Sequence, residues 1–345
     1  MSGGQDGSHM AWGRSLARVS VRLAGHESNC SLLWRVAAAQ GVDIALLLDE
    51  LGDGKPGQQA VQPHLAEVFL SAPAAERLTA MLNVELSRLQ WALPHLRETH
   101  LLPGQQARWE WPWYPMEHYL VPACSRCVAL RGGGWGPIWL VWPESWKICD
   151  RHGQFTHVRQ SGSSMDLAPL AQVVRAHRQR QRFEHRHGPI GAYLVADAFA
   201  ITGWWWRKTV VECWARRAQR AGQPESNLES AWLWMHPEAL EVARALLDYE
   251  RQRALRPGGP WAVAEAQLLE RLAQMADVLE LPPGTWRIPV AQWLHQHHRC
   301  MPPVAQMGEP GRPVTALIHA DDEQQQSLAE RCCLPWDWND PSVPV

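Results

Sequence analysis

The sequence predicts a mostly α-helical chain, in which helix-turn-helix segments flank one small β-ribbon and a helical C-terminal domain follows. Three observations carry that expectation. Apolar residues recur at three- and four-residue spacing through most of the chain, and short turns rich in glycine and proline punctuate them. One central stretch instead alternates tryptophan with smaller residues around two cysteine-containing turns. The 345 residues, 46% of them hydrophobic, suffice for roughly two domains of ordinary size with buried cores.

The central turns are Cys124-Ser-Arg-Cys127 and Cys149-Asp-Arg-His152. They are separated by about twenty residues, the spacing of two metal knuckles. Two ligands on each turn, three thiolates and one imidazole in all, match the coordination of a single tetrahedral zinc ion. Arg131-Gly-Gly-Gly134 between them supplies the chain reversal. Four protein ligands leave no open position, so one structural zinc ion is expected rather than a catalytic one. The stretches 109–114 and 135–142 read as short strands of a zinc ribbon, their tryptophans packed around the metal. His295, His297, His298 and Cys300 crowd one short segment with no partner pair at ligand spacing, and read as a helix end.

In chain order, residues 1–10 have the composition of an expression scar, and 11–105 form an N-terminal helical domain. Within it, Glu27-Ser28-Asn29 offers a cap, and Leu32, Leu33, Val36 and Ala37 make one apolar stripe. Gly41 interrupts, and Ile44, Leu47, Leu48 and Leu51 make a second, a helix-turn-helix pattern. Residues 53–63 read as a loop, 64–69, 74–82 and 86–93 as helices. The ribbon occupies 106–160. A basic segment, 161–222, holds a helix over 167–182 broken at Gly188-Pro189, then a second helix-turn-helix unit with its turn at Thr202-Gly203. Residues 223–300 are the C-terminal helical domain, with helices over 237–253 and 261–279. The stretch 301–345, rich in Pro, Gly and acidic residues, reads as a tail that orders on a partner.

A net charge of -2 lacks the strongly basic balance of a stand-alone nucleic-acid binder, so DNA affinity by itself is expected to be modest. Distribution counts for more. All but three of the 33 basic residues are arginine, whose rigid fork suits phosphates and base edges. The candidate DNA contacts are Arg175, Arg178, Arg182 and Arg186 on the first basic helix, and Arg207, Lys208, Arg216 and Arg217 on the second unit. Trp204-Trp205-Trp206 beside them suits a protein-docking patch equally well. No run of about twenty apolar residues is present and the cysteines are scattered, which points to the cytoplasm.

The order of parts resembles the TniQ/TnsD family, whose members select target sites for Tn7-like transposons. The resemblance covers roughly residues 20–160. It is carried by Glu27-Ser-Asn-Cys-Ser-Leu-Leu-Trp-Arg-Val-Ala-Ala-Ala-Gln-Gly41, by Cys124-x-x-Cys127, and above all by Trp139-x-x-x-Pro143-x-x-Trp146-x-x-Cys149-x-x-His152-Gly153. It implies a non-catalytic adaptor that brings target DNA, or an RNA-guided effector complex, to a AAA+ ATPase regulator of transposition. It also carries the zinc ligands over to Cys124, Cys127, Cys149 and His152, and some members act as homodimers. Two other functions fit the residues: a zinc-containing DNA-binding regulator outside any transposon, and a nuclease with a structural zinc. The nuclease lacks a convergent acid/base cluster, because Asp321-Asp322-Glu323 and Glu184-His185-Arg-His187 have no placed partners.

Overall fold

The computed structural model describes residues 21–54, 66–111, 119–130, 136–159, 164–255, 262–282 and 284–300. The expectations for residues 1–10, the glycine reversal at 131–134, the side chains of 296–300 and the stretch 301–345 lie outside them. The chain is mostly helical with a few small sheets. It divides into two compact units, 1–147 with 156–164, and 148–155 with 165–345. The boundary between the two units passes through the segment 106–160.

The first unit begins with α1 (Asn29–Gln40) and α2 (Ile44–Leu51), which meet at 113°. Ser28 caps α1 by accepting from the Ser31 N–H at 3.0 Å. Gly41, at φ 69°, ends α1 in the left-handed conformation that glycine adopts without cost, and Asp43 caps α2. The buried faces, Leu32, Leu33 and Val36 with Leu47, Leu48 and Leu51, fill one core with Leu78, Leu89 and Trp109. The rest of this core comes from β1 (Phe69–Leu70), α3 (Ala72–Leu82), α4 (Leu86–Ala92) and β2 (Trp109–Glu110), with β1 and β2 antiparallel. Gly54 is required here, because a Cβ at that position would lie 2.1 Å from the Trp109 ring. The helix expected over 64–69 is not formed at its described end. Phe69 is instead a strand residue opposite Glu110, a long-range pairing that outweighs local preference.

Two buried carboxylates organise this unit. Glu67 accepts from the Asn29 and Cys30 N–H groups at the start of α1, where a helix terminus favours negative charge, and also contacts His95 Nδ1 at 2.8 Å. Glu27 takes a two-pronged ion pair from Arg35 (2.8 and 2.7 Å) and a hydrogen bond from Ser31. Burial pushes the Glu27 carboxyl up from its ordinary value, against the pull of Arg35. The segment 26–28 then joins a hairpin made of β3 (Tyr119–Pro122) and β4 (Trp139–Trp142). Ser28 N–H donates to Trp139 O at 2.9 Å and Val141 N–H to His26 O at 2.7 Å. α5 (Ser125–Leu130) follows β3 directly.

β5 (Trp146–Cys149), β6 (Gln154–His157) and β7 (Met165–Asp166) form a three-stranded sheet in that order. The second unit is dominated by α6 (Ala171–Lys208) packed on α8 (Ala231–Leu255), with α7 (Glu212–Arg220), α9 (Ala262–Val278) and α10 (Arg287–Cys300) around them. Trp205, Trp214, Trp234 and Trp293, four of the chain's 21 tryptophans, are fully buried and pack this unit's core rigidly. Pro237 sits inside α8 instead of starting it, six residues after Ala231.

The break expected at Gly188 is present, with φ 59° and ψ −148°. The second helix-turn-helix unit is not. α6 runs without a turn through Thr202 and Gly203, because the Thr202 hydroxyl bonds back to Ala198 O at 2.9 Å and the apolar face of Ala198, Ile201 and Trp205 continues across it. No single helix among the described residues is long and apolar enough to cross a membrane.

The Glu27–Arg35 pair yields a stability prediction. Arg35→Ala leaves a buried carboxylate without its cation and should cost about 3–5 kcal/mol in urea unfolding, against about 1 kcal/mol for Ser31→Ala. Equal small losses for both variants would show that the pair does not hold the N-terminal unit.

Candidate metal centre and arginine face

Cys124 follows β3 at the start of α5, so the first turn of that short helix presents Cys124 and Cys127 together, closed by Val128 N–H on Cys124 O at 3.0 Å. The second knuckle is the turn from β5 to β6. Gly153 closes it at φ 59°, donating to Cys149 O at 2.8 Å. The ligand atoms of Cys124, Cys127, Cys149 and His152 all lie within 4.8 Å of one another. Cys124 is buried and the other three are half-buried. In a tetrahedral zinc site with Zn–S bonds near 2.3 Å, ligand atoms stand about 3.8 Å apart. Cys149 Sγ and His152 Nδ1 are 3.7 Å apart, so the donor set fits one ion. All four ligands assigned from the knuckle spacing converge, and the cluster can hold one metal ion. Bound there, an ion would tie the two turns together.

The second knuckle is also gripped from behind. Asp150, between two of the ligands, accepts a hydrogen bond from Arg178 on its backbone carbonyl and one from Gln181 Nε2 on its carboxylate at 3.3 Å. His177 Nε2 stands 3.8 Å from the same carboxylate. Leu167 N–H donates to Gly153 O at 2.8 Å, and β6 pairs with β7 just before α6. The knuckle and the first half of α6 are thus one bonded assembly. Sequence reasoning missed Asp150 in this role, because its partners lie 27 to 31 residues away and no local pattern marks them.

Arg175, Arg178, Arg182 and Arg186 are all exposed, while Val173, Ala176, Arg180 and Phe183 of the same helix are buried. At 100° per residue the four fall within an arc of about 80°, and along the axis they span about 16 Å. Arg175, Arg182 and Arg186 make no ion pair among the described residues. Glu184, the nearby acid, is turned to the other side and pairs with Arg180 at 2.8 Å. Four cations in a row on one face, with no acid of α6 on that face and Asp150 beside Arg178 at one end, can follow a polyanion backbone.

The second candidate set is dispersed. Arg217 makes a two-pronged ion pair with Glu238, largely buried, and also bonds Trp234 O; burial works against its charge but Glu238 holds its pKa above the ordinary value. Arg216 is exposed but pairs with Glu212 at 3.4 Å. Lys208 lies over the Trp204 ring at 5.0 Å, and Arg207 is half-buried. Arg207 and Lys208 share an open groove of about 550 Å³ with Glu225. These four residues therefore form no continuous basic face. The exposed side of α2 carries Asp49 and Glu50 with Leu46, which repels phosphate and makes α2 unsuited as a recognition helix.

No protein-family model, curated protein or solved structure matches the chain. The likeness to the TniQ/TnsD family rests on the motif residues alone.

The metal centre is tested by composition and spectroscopy. Protein prepared without chelator should carry one zinc per chain, and cobalt exchanged into it should show thiolate charge-transfer and tetrahedral ligand-field bands. Cys149→Ser should lower metal affinity, whereas Cys213→Ser, outside the cluster, should not. Metal-free protein in all such preparations would contradict the assignment.

Proposed function

We propose that this chain is a non-catalytic, zinc-containing DNA-targeting adaptor that selects the target site of a Tn7-like transposon and recruits a AAA+ regulator. The observation that carries the DNA-binding part is the row of four exposed arginines on α6, fastened through Asp150 to the knuckle that bears Cys149 and His152. Lysine-poor, arginine-rich charge of this kind favours forked contacts to phosphate oxygens. The transposition part is supported by the motif order, from the Glu27–Gly41 segment through Cys124-x-x-Cys127 to the Trp-x-x-Cys-x-x-His-Gly element.

The Glu27–Gly41 segment acquires a physical reason in this reading. Ser28 and Ser31 hydrogen-bond to Trp139 of β4, and Glu27, itself paired with Arg35, accepts from the Ser31 hydroxyl, so a motif at the N-terminus supports the hairpin that leads into the first knuckle. Four phosphate contacts give only modest affinity at physiological salt. Stable recruitment then requires a protein partner alongside DNA, either the AAA+ ATPase or an RNA-guided complex.

Two measurements test the proposal. Arg175→Ala/Arg182→Ala/Arg186→Ala should lower the slope of log K against log salt for duplex DNA by about three units, with helical content unchanged, while Arg216→Ala leaves it as it is. Unchanged affinity and slope in the triple variant would remove α6 as the DNA surface. Native purification should bring a AAA+ ATPase with the chain. DNA binding without any such ATPase would leave a DNA-binding regulator outside transposition.

A further inference from the structure

The turn that carries Cys149 and His152 runs along one side of α6. A Cβ on Gly153 would lie 3.6 Å from Val174 Cγ2. Asp150 Oδ1 stands 3.8 Å from His177 Nε2 and 3.3 Å from Gln181 Nε2, and the Asp150 carbonyl accepts from Arg178. At 100° per residue, Val174, His177, Arg178 and Gln181 cover an arc of about 100° around the helix, and the arginine row covers about the next 80°. Arg178 belongs to both arcs. The turn therefore flanks the row as a wall flanks a floor, and the two meet at Arg178.

Arg151 is the next residue of that turn. It is exposed and makes no ion pair among the described residues. The peptide bond puts its Cα about 3 Å from the carbonyl oxygen that holds Arg178, so its side chain starts at the corner where wall and floor meet. The acid of the same turn is directed elsewhere. The half-buried Asp150 carboxylate faces His177 and Gln181, on the part of the arc away from the row. A divalent ion held by three thiolates and a neutral imidazole would carry one net negative charge on the ligand side of the turn, and Arg151 offsets it. Arg151 is thus the charge that this turn presents to solvent.

We propose that a duplex-DNA backbone laid along Arg175, Arg178, Arg182 and Arg186 is also gripped by Arg151, so that the second knuckle is part of the binding surface and its metal and the DNA are bound cooperatively. The proposal rests on the reading of α6 as a DNA face. A forked guanidinium at the wall can take a phosphate that the floor already holds from below. The four-residue turn has little packing of its own, so the ion fixes where Arg151 stands. Linkage then runs both ways: what the ion adds to affinity for DNA, DNA adds to affinity for the ion.

The test uses the zinc-loaded full-length chain and its variants Arg151→Ala and Arg151→Lys. The slope of log K against log salt for duplex DNA should fall by about one unit in Arg151→Ala and return in Arg151→Lys, which keeps the charge. Duplex DNA should slow the transfer of zinc to a chelator severalfold in the native chain, and less in Arg151→Ala, each protein being compared with its own rate without DNA. A measurement without any variant is arginine modification by phenylglyoxal, followed peptide by peptide in the native chain. DNA should protect Arg151 together with Arg182, and leave the exposed Arg220 of α7 as it is. An unchanged slope in Arg151→Ala, or an unprotected Arg151 beside a protected Arg182, would overturn the contact and leave the α6 face standing. If Arg175→Ala/Arg182→Ala/Arg186→Ala also keeps the native slope, the α6 face falls and this contact with it. A loss in Arg151→Ala with none in that triple variant would overturn the shared path from floor to wall.

Discussion

Asp150 occupies the position on which the functional reading turns. It is held in a tight turn between two metal ligands, Cys149 and His152, and on its other side three α6 side chains reach its carbonyl and carboxylate. A turn of four residues has little packing of its own. Held at both ligands by an ion, it becomes a rigid post against which a long helix can be set. α6 begins only a few residues after β7, and β7 pairs with the strand that leaves the same turn. The metal would therefore influence the arginine row without touching anything the row binds, as residues behind a site commonly do.

Charge on this chain is informative only when resolved to single faces. A total near neutrality hides a helix whose exposed side carries four arginines and no acid, opposite a buried side holding its own Arg180–Glu184 pair. The same total hides the reverse case at α7, where Arg217 looks free in sequence but serves the core through Glu238 and lies near the buried Trp214 indole, which donates to the same carboxylate at 3.0 Å. Spacing distinguishes the two. Residues 175, 178, 182 and 186 follow helical periodicity, whereas Arg216 and Arg217 are adjacent and must point to different sides.

Local chemistry was the readable part of the fold. Ser28 as a cap, Gly41 as a left-handed stop, the break at Gly188 and the convergence of Cys124, Cys127, Cys149 and His152 each depend on residues close in sequence or on a ligand spacing with few alternatives. What escaped was decided at long range. Thr202 and Gly203 look like a turn until the buried face on either side is known, and Phe69 looks helical until its strand partner at Glu110 is in place. Glu67 and Glu27 are indistinguishable from surface acids in a sequence, yet one receives the start of α1 and the other holds Arg35 inside the core. The tryptophans gave no directional signal of their own, and packing claimed most of those that the structure describes.

The central claim is that a metal-held knuckle sets the arginine face of α6. The slope of log K against log salt for duplex DNA, measured on the full chain as prepared, after chelation and after zinc is restored, tests it most directly. The account predicts a shallower slope and weaker binding without metal, both recovered on adding zinc, because Arg178 and the start of α6 lose their anchor at Asp150. An identical slope and affinity in metal-free protein that keeps its helical content would contradict it.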